Sequence, residues 1–144
     1  VSSNLFTVSV ITPVGSVLLE ETEFIQLPTT TGEIGILASH SSEIVLLIPG
    51  KFHIQRNQKT ANAPEDYFLP AGIAYIAPES VSVITDYVEP VLEIDTKRAQ
   101  IAQARAIKRL NQTNGTINQA RAQAAHDRAV ARLELALDLA GLTR

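Results

Sequence analysis

The sequence predicts an α+β protein, with an N-terminal antiparallel β-sandwich followed by a C-terminal antiparallel two-helix hairpin. Residues 1–90 contain short β-branched segments separated by Pro and Gly, whereas residues 91–144 are rich in Ala and Arg. The charge changes at the same place. The first part has 3 Lys/Arg and 10 Asp/Glu, and the second has 9 and 5, within a total charge of −3. We therefore predict two domains, 1–90 and 91–144, that contact different partners.

Alternating or apolar β-branched segments predict the strands of the first domain. These segments are residues 5–11, 17–19, 23–27, 44–48, 51–56, 67–69, 73–76 and 81–85. Residues 44–48 are apolar throughout, which predicts a strand buried on both faces. Pro28 and Gly32 bracket a predicted polar loop, and residues 57–65 form a predicted hairpin loop. Many short strands at even spacing indicate a β-sandwich or a flattened barrel.

The second domain is predicted to be helical. Asp95 or Thr96 is expected to cap a helix that runs to about Leu110. The turn cluster 111–116 then separates it from a second helix over about 117–140, which Gly141 stops. Alanine has the highest helix propensity but buries little surface. Such a hairpin can stay docked, or separate from its neighbours and remain helical, and the sequence leaves both states open.

The composition argues against catalysis. The chain has no cysteine, so disulfides, thiolate metal sites and a cysteine nucleophile are excluded. Its three histidines are far apart and lack metal-ligand spacing, and no phosphate-binding loop or nucleophile motif is present. No apolar run approaches the roughly 20 residues that span a bilayer. We therefore predict no catalytic residue and no metal site.

Arginines recur on one side of each predicted helix. They are Arg98, Arg105 and Arg109 on the first helix, and Arg121, Arg128 and Arg132 on the second. The shared spacing of i, i+7 and i+11 places each set within roughly 40° at ~100° per residue. If the stripes converge, they predict a binding site for acidic side chains or a phosphate-bearing ligand. The alternative is a solvated helix face. Nucleic acid is not expected, because the net charge is negative and the stripes lack interleaved aromatic residues.

Residues 32–40, Gly-Glu-Ile-Gly-Ile-Leu-Ala-Ser-His, resemble the signature loop of the epsilon subunit of F-type ATP synthases, called delta in mitochondria. The preceding Leu-Pro-Thr (27–29) and the opening strand and turn over residues 10–15 are similar as well. The turns at 49–50 and 71–72 also fall where that family has turns. The family commonly has Pro at the position of Ala38 and Gly at that of Ala71, and both changes are tolerable turn variants. The resemblance covers essentially the whole chain.

The resemblance implies a noncatalytic subunit that requires no cofactor. Its sandwich would bind the gamma subunit and rest on the c-ring, and so couple ring rotation to the catalytic α3β3 head. The subunit would be peripheral to the cytoplasmic face of a bacterial membrane, or to the matrix or stromal face in an organelle. The implied c-ring contacts are Gly32, Glu33 and His40.

The resemblance also implies a regulatory hairpin. In bacterial members the hairpin can lie folded against the sandwich, or extend along gamma into the head and block ATP hydrolysis. The extended form meets the alpha and beta subunits, and its basic residues face an acidic segment of beta. The residues suited to that contact here are Arg105, Lys108, Arg109 and Arg121.

Some bacterial members bind ATP through a motif similar to I-D-x-x-R-A. This chain has Ile94, Asp95, Arg98 and Ala99 in that pattern, with Arg128 and Arg132 on the second helix and Glu89 upstream. ATP is therefore expected as a regulatory ligand that stabilises the folded hairpin. The alternative is that Asp95 is only a helix cap paired with Arg98.

A different class of function remains open from the sequence. The chain is alternatively a free-standing β-sandwich binding module with a helical, nucleotide-sensing tail. Co-purification with a membrane complex that contains gamma and the c-ring distinguishes the two hypotheses.

Overall fold

A computed structural model of the chain describes residues 4–57, 59–112 and 118–139. The chain divides into two compact units, Val1–Pro90 and Val91–Arg144. A β-sandwich followed by two helices confirms the predicted fold class. The strands are β1 (Phe6–Thr12), β2 (Gly15–Thr22), β3 (Phe24–Thr29), β4 (Gly32–Leu37), β5 (Glu43–Leu47), β6 (Gly50–Ile54), β7 (Asp66–Leu69), β8 (Gly72–Ile76), β9 (Ser80–Thr85) and β10 (Glu89–Pro90). The helices are α1 (Thr96–Leu110) and α2 (Gln119–Leu139).

The strands form two layers. One layer has the order β10-β7-β6-β3-β4, and the other has the order β5-β8-β9-β1-β2. A single paired position, Thr29 with Leu47, links β3 to β5 and so joins the layers. Because each layer turns one face toward the other, side chains alternate between core and solvent along each strand.

The pairing of β1 with β9 is parallel, whereas the other strand pairs that the structure describes are antiparallel. The register places Val8 beside Val81 and Val10 beside Val83, and all four side chains are fully buried. The first strand therefore lies inside its layer, between the central strand β9 and the edge strand β2.

The core is aliphatic and aromatic, and both layers contribute to it. Its members include Phe6, Val8, Val10, Ile25, Leu27, Ile36, Phe52, Ile54, Leu69, Ala74, Val81 and Val83. Phe52 and Tyr67 place their ring centroids 5.9 Å apart on neighbouring strands. Together with Phe6, this pair makes up the aromatic part of the core.

The prediction that residues 44–48 are buried on both faces is wrong. Ile44 is 66% exposed and Leu46 is 60% exposed, whereas Leu47 is buried. In a two-layer sandwich each strand has one outward face, so an apolar run does not by itself show that both faces are covered.

The polar loop predicted between Pro28 and Gly32 is shorter than expected. Strand β3 continues through Pro28 to Thr29, and only two threonines separate it from β4. Gly32 has φ of +116°, a conformation that glycine adopts without steric cost. The following Ile34 and Ile36 supply the β propensity of a strand that the sequence reading missed.

A buried ion pair connects β2 to the segment that follows β6. The side chain of Arg56 is 4% exposed, and its guanidinium pairs with the carboxylate of Glu20. Arg56 also donates from Nε to the Pro64 carbonyl oxygen at 2.7 Å and from Nη2 to the Tyr67 hydroxyl at 2.9 Å. These bonds satisfy the buried charge and fix both ends of the predicted loop over 57–65.

In the second unit, the side chain of Asp95 caps α1, as predicted. The Arg98 amide donates to Asp95 Oδ1 at 3.0 Å, and a short 3-10 turn, Val91–Glu93, precedes the cap. Helix α2 begins at Gln119, and the predicted limits Ile117, Ala140 and Gly141 lie outside the described residues. None of the described helices is long and apolar enough to cross a membrane.

Replacing Arg56 with Met should destabilise the sandwich by about 3 kcal/mol, because the change leaves the carboxylate of Glu20 largely buried without its partner. Urea unfolding followed by circular dichroism measures this difference. The double variant Arg56→Met/Glu20→Gln serves as the control, since it removes the stranded charge. It should be clearly more stable than the sum of the two single changes indicates, and strict additivity would contradict the proposed pairing.

Candidate functional site: a basic face on the helical hairpin

The charged side chains of helix α1 are all positive. It contains Lys97, Arg98, Arg105, Lys108 and Arg109 and no acidic residue. All five side chains are exposed. Five like charges within 15 residues repel one another unless salt or an anionic partner screens them.

Buried alanines define the inner side of both helices. They are Ala99 and Ala106 in α1, and Ala122 and Ala129 in α2, so each pair is seven residues apart. The helices contact each other within their unit. Alanine at these positions suits a close approach of the two helix backbones, because its side chain is a single methyl group. The weak hydrophobic contribution of each methyl group is consistent with a hairpin held by many small contacts.

Each of these buried alanines directly follows an arginine. The arginines are Arg98, Arg105, Arg121 and Arg128. One residue earlier in an α-helix means a rotation of about 100° backward around the axis. The arginines of both helices therefore flank the buried line on the same rotational side.

Because the two helices run in opposite directions, this shared rotation places both stripes on the same face of the hairpin. Short connections between helices produce antiparallel neighbours, and here only residues 111–118 separate α1 from α2. The pattern of buried residues is thus consistent with convergence of the two stripes, which the sequence left as a condition. We call this surface the basic face, made of Arg98, Arg105, Arg109, Arg121, Arg128 and Arg132.

The arginines of the basic face differ in exposure. Arg98, Arg105, Arg109 and Arg121 are exposed, and Arg128 and Arg132 are half-buried. Within the described part of the chain, no carboxylate forms an ion pair with Arg98, Arg105 or Arg121. Their guanidinium groups are available to an external carboxylate or phosphate, which a planar guanidinium binds through two parallel hydrogen bonds.

The structure distributes the residues of the I-D-x-x-R-A motif among different environments. Asp95 and Arg98 are exposed at the start of α1, and Ile94 is half-buried beside them. Ala99 is fully buried, so its methyl group faces away from solvent. Glu89 lies in strand β10 of the first unit, whereas the other members of the motif belong to the second unit.

The residues suggested as c-ring contacts lie on and after the β3–β4 hairpin. Glu33 is exposed, and the Gln26 amide donates to its carboxylate at 2.5 Å. His40 is half-buried and directly follows Ser39, whose amide donates to the Pro78 carbonyl oxygen at 2.8 Å. The cross-strand bond holds the carboxylate of Glu33 on a rigid strand pair.

The structure describes no group of three or more His, Asp or Glu residues placed to hold a metal ion. His53 Nδ1 lies 2.8 Å from Asp66 Oδ1 across the β6–β7 pair. This pair is a local link between neighbouring strands.

Sequence reading missed one surface. Four aliphatic residues lie side by side on adjacent strands and point outward from the second layer. They are Leu46, Ile73, Ile84 and Ile11, which we call the aliphatic row. The sequence feature that could have indicated this surface is the apolar run 44–48. An apolar side chain that faces outward requires an explanation, whereas a buried one does not.

Comparison with known proteins covers both units. Residues 5–91 match the family described as ATP synthase, Delta/Epsilon chain, beta-sandwich domain. Residues 93–136 match the family described as ATP synthase, Delta/Epsilon chain, long alpha-helix domain. The two matches follow one another in chain order and meet where the sandwich ends.

Several curated bacterial proteins are similar along most of the chain. An ATP synthase epsilon chain of Desulfitobacterium hafniense (strain Y51) is 39% identical over 131 residues, which cover 91% of this chain and 96% of that protein. An ATP synthase epsilon chain of Nitratidesulfovibrio vulgaris (strain DP4) is 34% identical over 126 residues, which cover 88% and 91%.

Among solved structures, a chain of the Euglena gracilis mitochondrial ATP synthase, OSCP/F1/c-ring, has a TM-score of 0.76 at 19% identity. The similarity covers 96% of this chain and 82% of that one, and at this identity it shows the fold alone. The two consecutive domain matches and the similarity to the bacterial proteins show that the chain belongs to the delta/epsilon family of ATP synthase subunits.

Proposed function

We propose that the chain is a noncatalytic central-stalk subunit of a proton- or sodium-translocating F-type ATP synthase, which couples rotation of the c-ring to the F1 head. The observation that carries the proposal is the pair of consecutive family matches over residues 5–91 and 93–136. Two solved structures with a similar fold are of mitochondrial ATP synthases and include the c-ring. The gamma subunit and the c-ring are the proposed partners of the sandwich.

The proposed c-ring contact is the surface around Gly32, Glu33 and His40. Its support is geometric, because the β3–β4 register and the Gln26–Glu33 hydrogen bond hold an exposed carboxylate in a defined position. A fixed polar side chain suits a contact that must transmit force, since little side-chain motion has to be taken up first. Association through this complex would keep the subunit peripheral, on the cytoplasmic face of a bacterial membrane.

The hairpin is the proposed regulatory element. In an extended state it would contact the alpha and beta subunits and inhibit ATP hydrolysis. The exposed cations Arg105, Lys108, Arg109 and Arg121 support this role, because they can pair with an acidic segment of beta. The alanine-rich helices are also suited to leaving one surface for another, since they keep their helicity without large apolar contacts.

ATP is the proposed regulatory ligand of the compact hairpin. Arg98, Arg128 and Arg132 would pair with phosphate oxygens, and Asp95 would accept a hydrogen bond from the adenine amino group. Asp95 Oδ1 accepts the capping hydrogen bond, so Asp95 Oδ2 would accept the hydrogen bond from the adenine amino group. A ligand that binds one state more tightly shifts the population toward that state, so falling ATP would release the inhibitory hairpin.

Truncation of the chain after Pro90 should raise ATP hydrolysis by the assembled complex several-fold while the complex remains intact. The triple variant Arg105→Gln/Arg109→Gln/Arg121→Gln should produce most of the same increase, because it removes the cations that meet the acidic segment. Lys97→Gln is the matched control, since Lys97 is an exposed cation of α1 that lies about 80° away from the stripe.

The measurement is steady-state hydrolysis, with subunit composition checked by gel electrophoresis. Unchanged hydrolysis after truncation would refute the inhibitory role and leave the coupling role with the sandwich. If the Lys97→Gln variant hydrolysed ATP as fast as the triple variant, the total positive charge of the hairpin, rather than the position of the cations on the stripe, would control inhibition.

The change Asp95→Asn separates the two interpretations of Asp95. Asparagine caps helices about as well as aspartate, so the stability of the hairpin should be preserved. Its second side-chain atom is an NH2 group, which would oppose the adenine amino group instead of accepting its hydrogen bond. ATP affinity should therefore fall about tenfold.

Isothermal titration of ATP into the full chain measures this affinity. Arg128→Gln should lower it as well, because its guanidinium would pair with phosphate oxygens. A wild-type chain that shows no heat of binding would exclude ATP as the ligand, and an Asp95→Asn variant with wild-type affinity would leave Asp95 only its role as a cap.

A further inference from the structure

A row of polar side chains crosses the outward face of the first layer. The register pairs Gln26 on β3 with His53 on β6, and His53 with Asp66 on β7. The neighbours of Gln26 and His53 along their strands are fully buried, so the alternation of side chains turns these two residues outward. Glu33 on β4 joins the row through its hydrogen bond with Gln26. We call these four residues the polar row.

Two hydrogen bonds fix the ends of the polar row. At one end, Gln26 Nε2 donates to Glu33 Oε2 at 2.5 Å. At the other end, His53 Nδ1 lies 2.8 Å from Asp66 Oδ1. Because an ionised carboxylate can only accept hydrogen bonds, Nδ1 carries a proton and donates to Asp66. In the neutral form of His53 the lone pair is therefore on Nε2.

The middle of the polar row has unused hydrogen-bonding capacity. Strands β7 and β3 flank β6 on opposite sides, so a ring whose Nδ1 points to Asp66 turns its Nε2 toward the side of Gln26. Among the residues that the structure describes, neither His53 Nε2 nor Gln26 Oε1 has a hydrogen-bond partner. Directly opposed residues of antiparallel strands have Cβ atoms roughly 4.5–5.5 Å apart, which two long polar side chains can bridge.

The surroundings of Gln26 direct its amide toward Glu33. The position opposite Gln26 on β4 is Gly35, which has no side chain to block a diagonal approach. The ring of Phe24 covers Gly35 so closely that a Cβ there would lie 2.9 Å from a ring atom. The same ring has its centroid 6.2 Å from that of His53. Phe24 therefore borders the polar row and limits the directions that the Gln26 side chain can take.

Few charged groups face His53 from the strands that pack against it. Its own strand contributes Lys51, two residues earlier on the same face, and β7 contributes Asp66. Strand β3 presents only the uncharged Phe24 and Gln26 on that face. Histidine is the side chain that ordinarily changes its charge between about pH 5 and 8. A change of pH can therefore convert Nε2 of His53 between hydrogen-bond donor and acceptor.

We propose that His53 is a positioning residue for Glu33 and acts through the side-chain amide of Gln26. When His53 is protonated, Nε2 donates to Gln26 Oε1, which keeps the amide NH2 group directed at Glu33. When His53 has lost its Nε2 proton to water, Nε2 is an acceptor and competes with Glu33 for that NH2 group. Rotation of the amide toward His53 would turn its oxygen toward Glu33 and repel the carboxylate. Glu33 is thus held when His53 is charged and released when His53 is neutral.

This inference deepens the proposed function, and its functional consequence rests on that function, because Glu33 belongs to the proposed c-ring contact. A side chain that is already fixed loses less conformational freedom on binding than a mobile one. The contact would therefore be strongest when His53 carries its charge.

The test is a pH titration of the full chain followed by NMR. The Cε1 proton of His53 reports the midpoint of its titration, and the carboxyl carbon of Glu33 reports the environment of the carboxylate. Besides the titration of Glu33 itself, its signal should show a second inflection at the His53 midpoint. In Gln26→Leu, His53 should still titrate but the second inflection should be lost, because leucine can neither accept from Nε2 nor donate to Glu33.

Two histidine variants complete the comparison. His53→Gln should lose the second inflection, whereas His126→Gln, which removes a histidine of the other unit, should retain it. A wild-type Glu33 signal without an inflection at the His53 midpoint would overturn the inference. An inflection that persists in Gln26→Leu would also overturn it, because the charge of His53 would then act on Glu33 through space without the amide.

Binding of the full chain to purified c-ring, measured separately, distinguishes this inference from the proposed function. If Glu33 follows His53 through Gln26 but the chain fails to bind the c-ring, the proposed contact is overturned and the positioning role of His53 stands. If the chain binds the c-ring but Glu33 does not follow His53, this inference alone is overturned.

Discussion

The parallel pairing of β1 with β9 is the interaction on which both faces of the second layer depend. One register places Val8 beside Val81 in the core, and the same register places Ile11 beside Ile84 on the outer surface. A slip of one residue would reverse both assignments, because side chains alternate along a strand. The core valines have a strong preference for burial, so they fix the register. The outward isoleucines are then aligned into a continuous surface as a consequence.

Part of the fold was readable because its signals are local. Alternating β-branched residues located most strands, and Asp95 was recognisable as a cap from its position before an uninterrupted helical pattern. Strand β4 was missed because Gly32 and Gly35 lower the apparent strand propensity of a segment whose isoleucines pair regularly with β3. The outward exposure of Ile44 and Leu46 was misjudged, because an apolar run does not show which face a neighbouring layer covers.

Long-range partners could not be derived from one sequence. Arg56 and Glu20 are 36 positions apart, and only the packing of the sandwich brings them together. The arginine spacing of the hairpin was visible, but the side of the hairpin on which the stripes fall depends on which residues are buried. The repeated Arg-Ala step answers that question, because the buried alanine orients each helix and the arginine precedes it at a fixed rotation.

The β1–β9 pairing also affects the order in which the chain acquires structure during synthesis. Ser9 and Ser82 share a hydrogen bond although 73 positions separate them, so β1 leaves the ribosome roughly 4 to 15 s before its parallel neighbour. During that interval β1 and β2 can form only a hairpin, and the inner valines of β1 remain uncovered. The α1–α2 hairpin closes over a much shorter separation and needs no such delay. The sandwich is therefore the slow and aggregation-sensitive part of biogenesis, and nearly all of residues 1–90 must emerge before it can close.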